Sequence, residues 1–236
     1  KVSGQKFDSN KLGAKLELAA KAEDLLVDIF DSAKHRPSPI DAYVGGVYYT
    51  GPILTAFRGG QGWVDYYREL KAEVDYRVAH KLGPITPEGH LENEKFRLVV
   101  EGPPNWTHFR DFWKIFYDRG SVFVGSSYTR VGGVYDDGFR HSSKDPLASL
   151  AEYCLGCYTN RNIPQRIDLL EHFIKTYHAD GLLVNSIKSC NSFSAGQLVM
   201  MRALEERLGI PVGFIETDLV DPRYYSFSNI KNRLDS

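Results

Sequence analysis

The sequence is poor in the features that mark the commonest alternatives. Its 236 residues hold only three cysteines, an odd number unsuited to a disulfide framework. Such thiols fit a reducing compartment, where they serve redox or metal chemistry. No apolar run approaches the ~18 residues that a membrane span needs, and the opening KVSGQKFDSN lacks the apolar core of a signal peptide. A cytoplasmic protein with no membrane partner is the expectation. Charge of neither sign dominates: the formal net charge is -1 and the pI is near 6.7. That balance offers no basic groove for nucleic acid and turns attention to small or polar-headed metabolites. Neither GxGxxG nor GxxxxGK followed by Ser or Thr occurs, so ATP binding through a phosphate loop is not expected of this chain itself.

What is present is a strand–helix–strand unit between Ala179 and Arg223. It reads as a strand at Leu182 to Asn185, a loop carrying Cys190, a helix opened by Ser194 and closed by Gly209, and a strand from Val212 to Glu216 that ends in Thr217 and Asp218. Strands that are apolar on both faces and alternate with helices indicate a parallel sheet covered on both sides. An earlier repeat has a strand at Arg97 to Val100, a turn at Glu101 to Asn105, a helix at Trp106 to Tyr117 and a strand at Ser121 to Val124. The predicted fold is therefore α/β, a Rossmann-like three-layer arrangement with four parallel strands near 97, 121, 182 and 212. A helical region precedes it, with helices over 8–34, from about Ser38 to Asp41, and over 62–81. The segment 85–94 reads as a linker, so the expected division is a helical region over 1–92 and an α/β domain over 93–236. The polar, glycine-rich stretch 125–144 is a long loop, of the kind usually functional or mobile. Asp145-Pro146 opens a further helix, and another spans 164–177. The chain opens on Lys1 and stops at Ser236 inside a helix begun near Ser228. The expectation is an excerpt of a longer polypeptide, with 1–92 joining an absent upstream domain and the α/β domain truncated at its end.

In open parallel sheets the reactive site lies beyond the carboxyl ends of the strands, where both the Cys190 loop and the Glu216-Thr217-Asp218 tip fall. Cys154-x-x-Cys157 together with Cys190 forms the sharpest constellation. Three thiolates are one short of a saturated 4Fe-4S site and would leave one iron open. Inert core cysteines, a structural zinc site and a redox-active pair are the other readings of the same spacing. Glu101-Gly102-Pro103-Pro104 precedes helix amides that could take an anion, or is a proline-stiffened connection with no ligand. Lys188-Ser189-Cys190-Asn191-Ser192 crowds polar groups at a strand end, as a ligand-facing loop requires; Ser192 or Ser194 can equally cap the helix. The stripe Trp106, Phe109, Phe112, Trp113 and Phe116 reads as core, and His108, His141, His172 and His178 are scattered.

The passage from Asp145 to Arg223 resembles the benzoyl-CoA reductase / 2-hydroxyacyl-CoA dehydratase family. The likeness rests on ADG at 179–181 before a strand, the cysteine loop KSCN at 188–191, CLGCYTN at 154–160, GIP before the last strand, the Glu216-x-Asp218 tip and Arg233 in the trailing helix. It covers about 95–236 well and extends to 1–92 as the region joining the family's two α/β domains. KSCN and CLGCYTN are most similar to the reductase branch. The resemblance implies an oxygen-sensitive cytoplasmic enzyme of anaerobic metabolism with a 4Fe-4S cluster at an acyl-CoA site. It implies a homologous cluster-bearing partner subunit, ATP-hydrolysing activator subunits that alone handle ATP, and ferredoxin as electron donor. The reductase reaction turns benzoyl-CoA into a cyclic diene thioester; the alternatives are radical dehydration of a 2-hydroxyacyl-CoA and a non-catalytic zinc module. By the same resemblance Cys190 is a cluster ligand, and Cys154 and Cys157 are ligands or near neighbours. Glu101, Asn105, Ser189 and Asn191, at the tips, are candidates for substrate contact, and no catalytic residue is assigned.

Overall fold

A computed structural model of the protein describes residues 4–50, 58–130 and 139–235. Helix α1 (Ser9–Asp31) opens where the Asp8 carboxylate accepts from the Asn10 and Lys11 amides, both at 3.0 Å, and passes into a 3-10 turn over Ser32–Lys34 ahead of the prolines at 37 and 39. Asp41 caps α2 (Ala42–Tyr48). Helix α3 (Gln61–His80) ends at Lys81, left-handed at φ 53°, ahead of Gly83-Pro84. Within the expected linker lies a small antiparallel hairpin, β1 (Ile85–Thr86) with β2 (Gly89–His90). Two residues per strand are too few to write a periodic pattern, which is why the sequence reads only as a turn there.

Then come β3 (Phe96–Glu101), α4 (Phe109–Tyr117), β4 (Ser121–Ser126), α5 (Pro146–Gly156), α6 (Ile163–Thr176), β5 (Gly181–Ile187), α7 (Asn191–Ser194), α8 (Gln197–Leu208), β6 (Val212–Thr217) and α9 (Phe227–Asp235). The four long strands form one wholly parallel sheet in the order β4-β3-β5-β6, as the apolar strand–helix alternation predicts. Successive strand residues face opposite sides. Val99, Val122, Val124, Leu182 and Val184 pack with α1, α3, α6 and α8, whereas Val100, Phe123, Leu183 and Ile215 pack with α2, α4 and α9. That is the three-layer arrangement, with the N-terminal helices α1 and α3 contributing to the first of its two cores. Phe173 of α6 is fully buried in that core, and its truncation to Ala would cost about 3–5 kcal/mol.

One charged group is sunk in this apolar frame. Arg97 in β3 has no exposed surface, and its guanidinium donates to the carbonyls of Tyr177, His35 and Ala33 and to Glu94. Glu94 also accepts from the Ser38 amide. A buried arginine is tolerable only with its donors so satisfied, and here they tie the exit of α1 to the sheet.

Three element boundaries differ from the sequence reading. The helix expected from Ser194 is two helices, α7 and α8, parted at Gly196, which holds φ 82°. Cys190 stands at the N-cap of the first, and the Ser194 hydroxyl donates back to the Cys190 carbonyl rather than opening a helix. Helix α4 begins at Phe109, three residues late, because the Asn105 side chain holds the chain in a turn by accepting from Thr107 Oγ1 and the His108 amide. The expected loop 125–144 starts later than predicted: Gly125 and Ser126 belong to β4, and a 3-10 turn covers Ser127–Arg130. Residues 131–138 lie outside the described part. Among the described residues, no helix is long and apolar enough to cross a membrane.

Candidate functional site

The sheet order places a topological switch point between β3 and β5. From β3 the chain steps outward to β4, and it then returns to pair β5 on the opposite side of β3. A crevice for ligands opens at the carboxyl ends of such a strand pair. The residues there are the turn after β3 and the loop after β5, two of the stretches singled out above.

Hydrogen bonds join all four strand tips. The Gly102 amide donates to Ser127 Oγ beyond β4 (3.0 Å). Asn185 of β5 donates to the Pro103 carbonyl (2.9 Å) and accepts from Thr217 Oγ1 of β6 (2.8 Å). Gly102 holds φ 108°, and a Cβ there would stand 2.2 Å from the Asn185 carbonyl oxygen. Only glycine allows so close an approach of the β3 turn to β5.

Beneath the crevice lies Glu101, with no exposed surface. One of its carboxylate oxygens accepts from the Tyr158 hydroxyl at 3.0 Å, and the other accepts from the Gln197 amide. Burial pushes Glu101 up to about 7, against the opposing hydrogen bonds from Gln197 and Tyr158 and the charge of Arg166. Burial and the neighbouring carboxylate also raise the Tyr158 phenol well above its ordinary value, so it remains a donor. Tyr158 follows Cys157, and Gln197 opens α8 directly after the Cys190 loop. Arg166 ties the same two segments from the other side, donating to the carbonyls of Thr159 (3.0 Å) and Arg161 (3.1 Å) and to that of Ser192 (2.8 Å). The Tyr158 and Phe193 rings stack at 5.5 Å. The structure thus brings the CLGCYTN turn and the Cys190 loop together, although 33 residues separate Cys157 from Cys190 in sequence.

All three thiols are free. Cys154 is exposed, and Cys157 and Cys190 are half-buried. Cys157 lies close to the Tyr153 carbonyl (3.5 Å). Burial, with the adjacent Cys154, raises its thiol above the ordinary range against the charges of Arg58 and Arg161. Ser189 and Asn191 are exposed on either side of Cys190. The Ser189 amide is pinned to Asp218 at 3.0 Å, so the acidic tip of β6 shapes this loop. Glu101 and Asn105 sit under the surface instead. The Asn105 Nδ2 is buried without a hydrogen-bond partner, while its Oδ1 serves the turn. Among the described residues no group of three or more His, Cys, Asp or Glu side chains converges as a metal site. The chemistry of the donors, soft thiols at the mouth of a parallel sheet, fits a share in an iron-sulfur cage; it does not make a complete cage from the described residues alone.

Sequence reasoning missed Tyr158, Arg166 and Gln197. Each stands on a helix or turn with no local anomaly, and only the fold reveals that they meet.

Comparison with known proteins identifies the family. The family model described as 2-hydroxyglutaryl-CoA dehydratase, D-component, matches residues 1–236. The chain is 65% identical over 235 residues to a protein named as a benzoyl-CoA reductase subunit from Thauera aromatica, covering 100% of this chain and 54% of that one. It is 24% identical to (R)-2-hydroxyglutaryl-CoA dehydratase subunit alpha from Acidaminococcus fermentans, over 99% of this chain and 46% of that one. To the (R)-phenyllactyl-CoA dehydratase alpha subunit from Clostridium sporogenes it is 22% identical, over 99% and 54% respectively. The chain spans about half the length of these relatives.

Proposed function

Because this chain belongs to the 2-hydroxyglutaryl-CoA dehydratase D-component family, we propose that it is the cluster- and substrate-binding part of a benzoyl-CoA reductase. The observation that carries the choice within the family is the 65% identity along the whole chain to a benzoyl-CoA reductase subunit, against 24% and 22% to two dehydratase subunits. The proposed reaction is ATP-dependent reduction of benzoyl-CoA to a cyclic diene carboxyl-CoA. ATP is hydrolysed by separate activator subunits, ferredoxin is the donor, and a homologous cluster-bearing subunit is the immediate partner. The thiol usage and the balanced charge support a cytoplasmic setting.

In this reading Cys190 supplies a thiolate ligand to a 4Fe-4S cluster. Its half-buried position at the switch point supports that role. Cys154 and Cys157 supply further ligands or border the cluster. When bound, such a cluster supplies single low-potential electrons to the acyl-CoA. The chain's own contribution is position. Ser189 and Asn191, exposed on the loop that Asp218 pins, meet the substrate. Glu101 and Asn105, buried below, hold the two cysteine segments and the first turn toward α4.

The test is an anaerobic assay of the full-length protein with its partner subunits, ATP and a low-potential donor, offered benzoyl-CoA and 2-hydroxyacyl-CoA thioesters in parallel. Dearomatisation of benzoyl-CoA supports the proposal. Dehydration of a hydroxyacyl-CoA with no benzoyl-CoA turnover replaces it with the dehydratase function.

A further inference from the structure

Beyond the thiols, one buried carboxylate lies at the centre of the site with no part in the chemistry. Glu101 has no exposed surface and sits at the end of β3, a strand hydrogen-bonded on both edges, which fixes its place. Its two oxygens serve different segments. Oε1 takes the Tyr158 hydroxyl, next to Cys157, and Oε2 takes the Gln197 amide, on the helix that follows the Cys190 loop. These partners are 57 and 96 residues away, so each bond closes a long loop onto the same point. Burial means that water cannot replace either bond once it is broken.

We propose that Glu101 is a positioning residue that fixes the Cys157 turn to the Cys190 loop, so that displacing either segment displaces the other. A group bound at one thiol is then felt at the second through β3. Arg166 reinforces the pair by donating to carbonyls of both segments, but it holds backbone oxygens, whereas Glu101 anchors both segments to the sheet. The idea rests on the reading of these cysteines as ligands only for its consequence, not for its geometry.

Hydrogen exchange read by mass spectrometry on the full-length protein with its partner subunits tests it, in peptides covering 155–161 and 188–196. Tyr158→Phe removes a hydroxyl from the first segment only, and Gln197→Ala an amide from the second only. Each is expected to speed exchange in both segments by about fivefold, the factor of one net hydrogen bond. Glu101→Ala is expected to speed both by about tenfold or more, with no further effect from adding Tyr158→Phe. Glu101→Gln is expected to stay within about twofold of wild type, since its carbonyl still accepts from Tyr158 and its amide can donate to a flipped Gln197. That rescue separates positioning by hydrogen bonds from a need for charge. Faster exchange confined to the segment that carries each substitution overturns the proposal, and this arm stands even if Glu101→Ala fails to fold. Iron and sulfide measured on the same samples report separately on the cluster reading. Coupled exchange without iron keeps this inference and removes the cluster; iron with uncoupled exchange does the reverse.

Discussion

Asp41 and Glu101 are both buried carboxylates, and they differ in what they bind. Asp41 accepts mainly from fixed backbone donors: the Tyr43 amide (2.9 Å) and the Val44 amide (3.2 Å) at the start of α2, and the Phe123 amide (3.0 Å) on the open edge of β4. Burial raises it to about 6, opposed by those amides and by Trp113. Glu101 accepts instead from two side chains, each belonging to a cysteine-bearing segment, and burial raises it to about 7. Backbone donors are present whatever the sequence, so Asp41 closes a helix and a sheet edge. Side-chain donors exist only because particular residues were placed there, so Glu101 is where architecture passes into the site.

The contrast is sharpest when each carboxylate is removed. Asp41→Ala removes the cap of α2, worth about 1–2 kcal/mol, and leaves the buried Phe123 amide without its carboxylate partner, worth about 1–3 kcal/mol. Urea denaturation of the full-length protein is expected to show a loss of about 2–5 kcal/mol with no selective change at the cysteines. Glu101→Ala orphans two side-chain donors that can partly turn away, with an expected loss of about 2–4 kcal/mol. Here the loss is accompanied by faster alkylation of Cys157 and Cys190 but not of the already exposed Cys154, read by mass spectrometry. Equal thiol responses in the two variants would erase the distinction.

The smallest effect is on pH dependence. Both groups have folded pKa values above the ordinary ones, so the folded state binds more protons and each group's penalty grows as pH rises. For Asp41 the penalty is absent below 3.8 and complete above about 6; for Glu101 the window runs from 4.5 to about 7. Glu101→Gln is therefore expected to flatten the decline of stability up to about pH 7, by on the order of 1–3 kcal/mol. Asp41→Asn is expected to flatten only the part below about pH 6. Urea midpoints measured across the two windows check this, and an unchanged slope in Glu101→Gln would contradict the assignment.

The sheet was legible because its strands are apolar on both faces. Leu182 to Val184 and Val122 to Val124 cannot be anything but buried, and Gly209-Ile210-Pro211 or Asp145-Pro146 punctuate the helices around them. The place of the candidate crevice was legible for the same reason, since the strand order and strand ends define it. What could not be read were pairings across long separations. Nothing local to Glu101 distinguishes a ligand contact from a carboxylate buried against Tyr158 and Gln197, and nothing in the β3 pattern announces that Arg97 is held by three carbonyls from two distant segments, the turn after α1 and the end of α6. The split of the Ser194 helix escaped because Gly196 follows serines that would cap equally well.

Whether Cys190 holds an iron-sulfur cluster is decided by anaerobic purification of the full-length protein with its partner subunits. Iron and acid-labile sulfide are measured in wild type and in Cys190→Ala, with Cys154→Ala and Cys157→Ala beside them. Iron and sulfide are expected in roughly equal amounts, lost or strongly reduced in Cys190→Ala together with the proposed benzoyl-CoA reduction. A metal-free or zinc-containing wild type, or a Cys190→Ala variant with undiminished iron and activity, would contradict it.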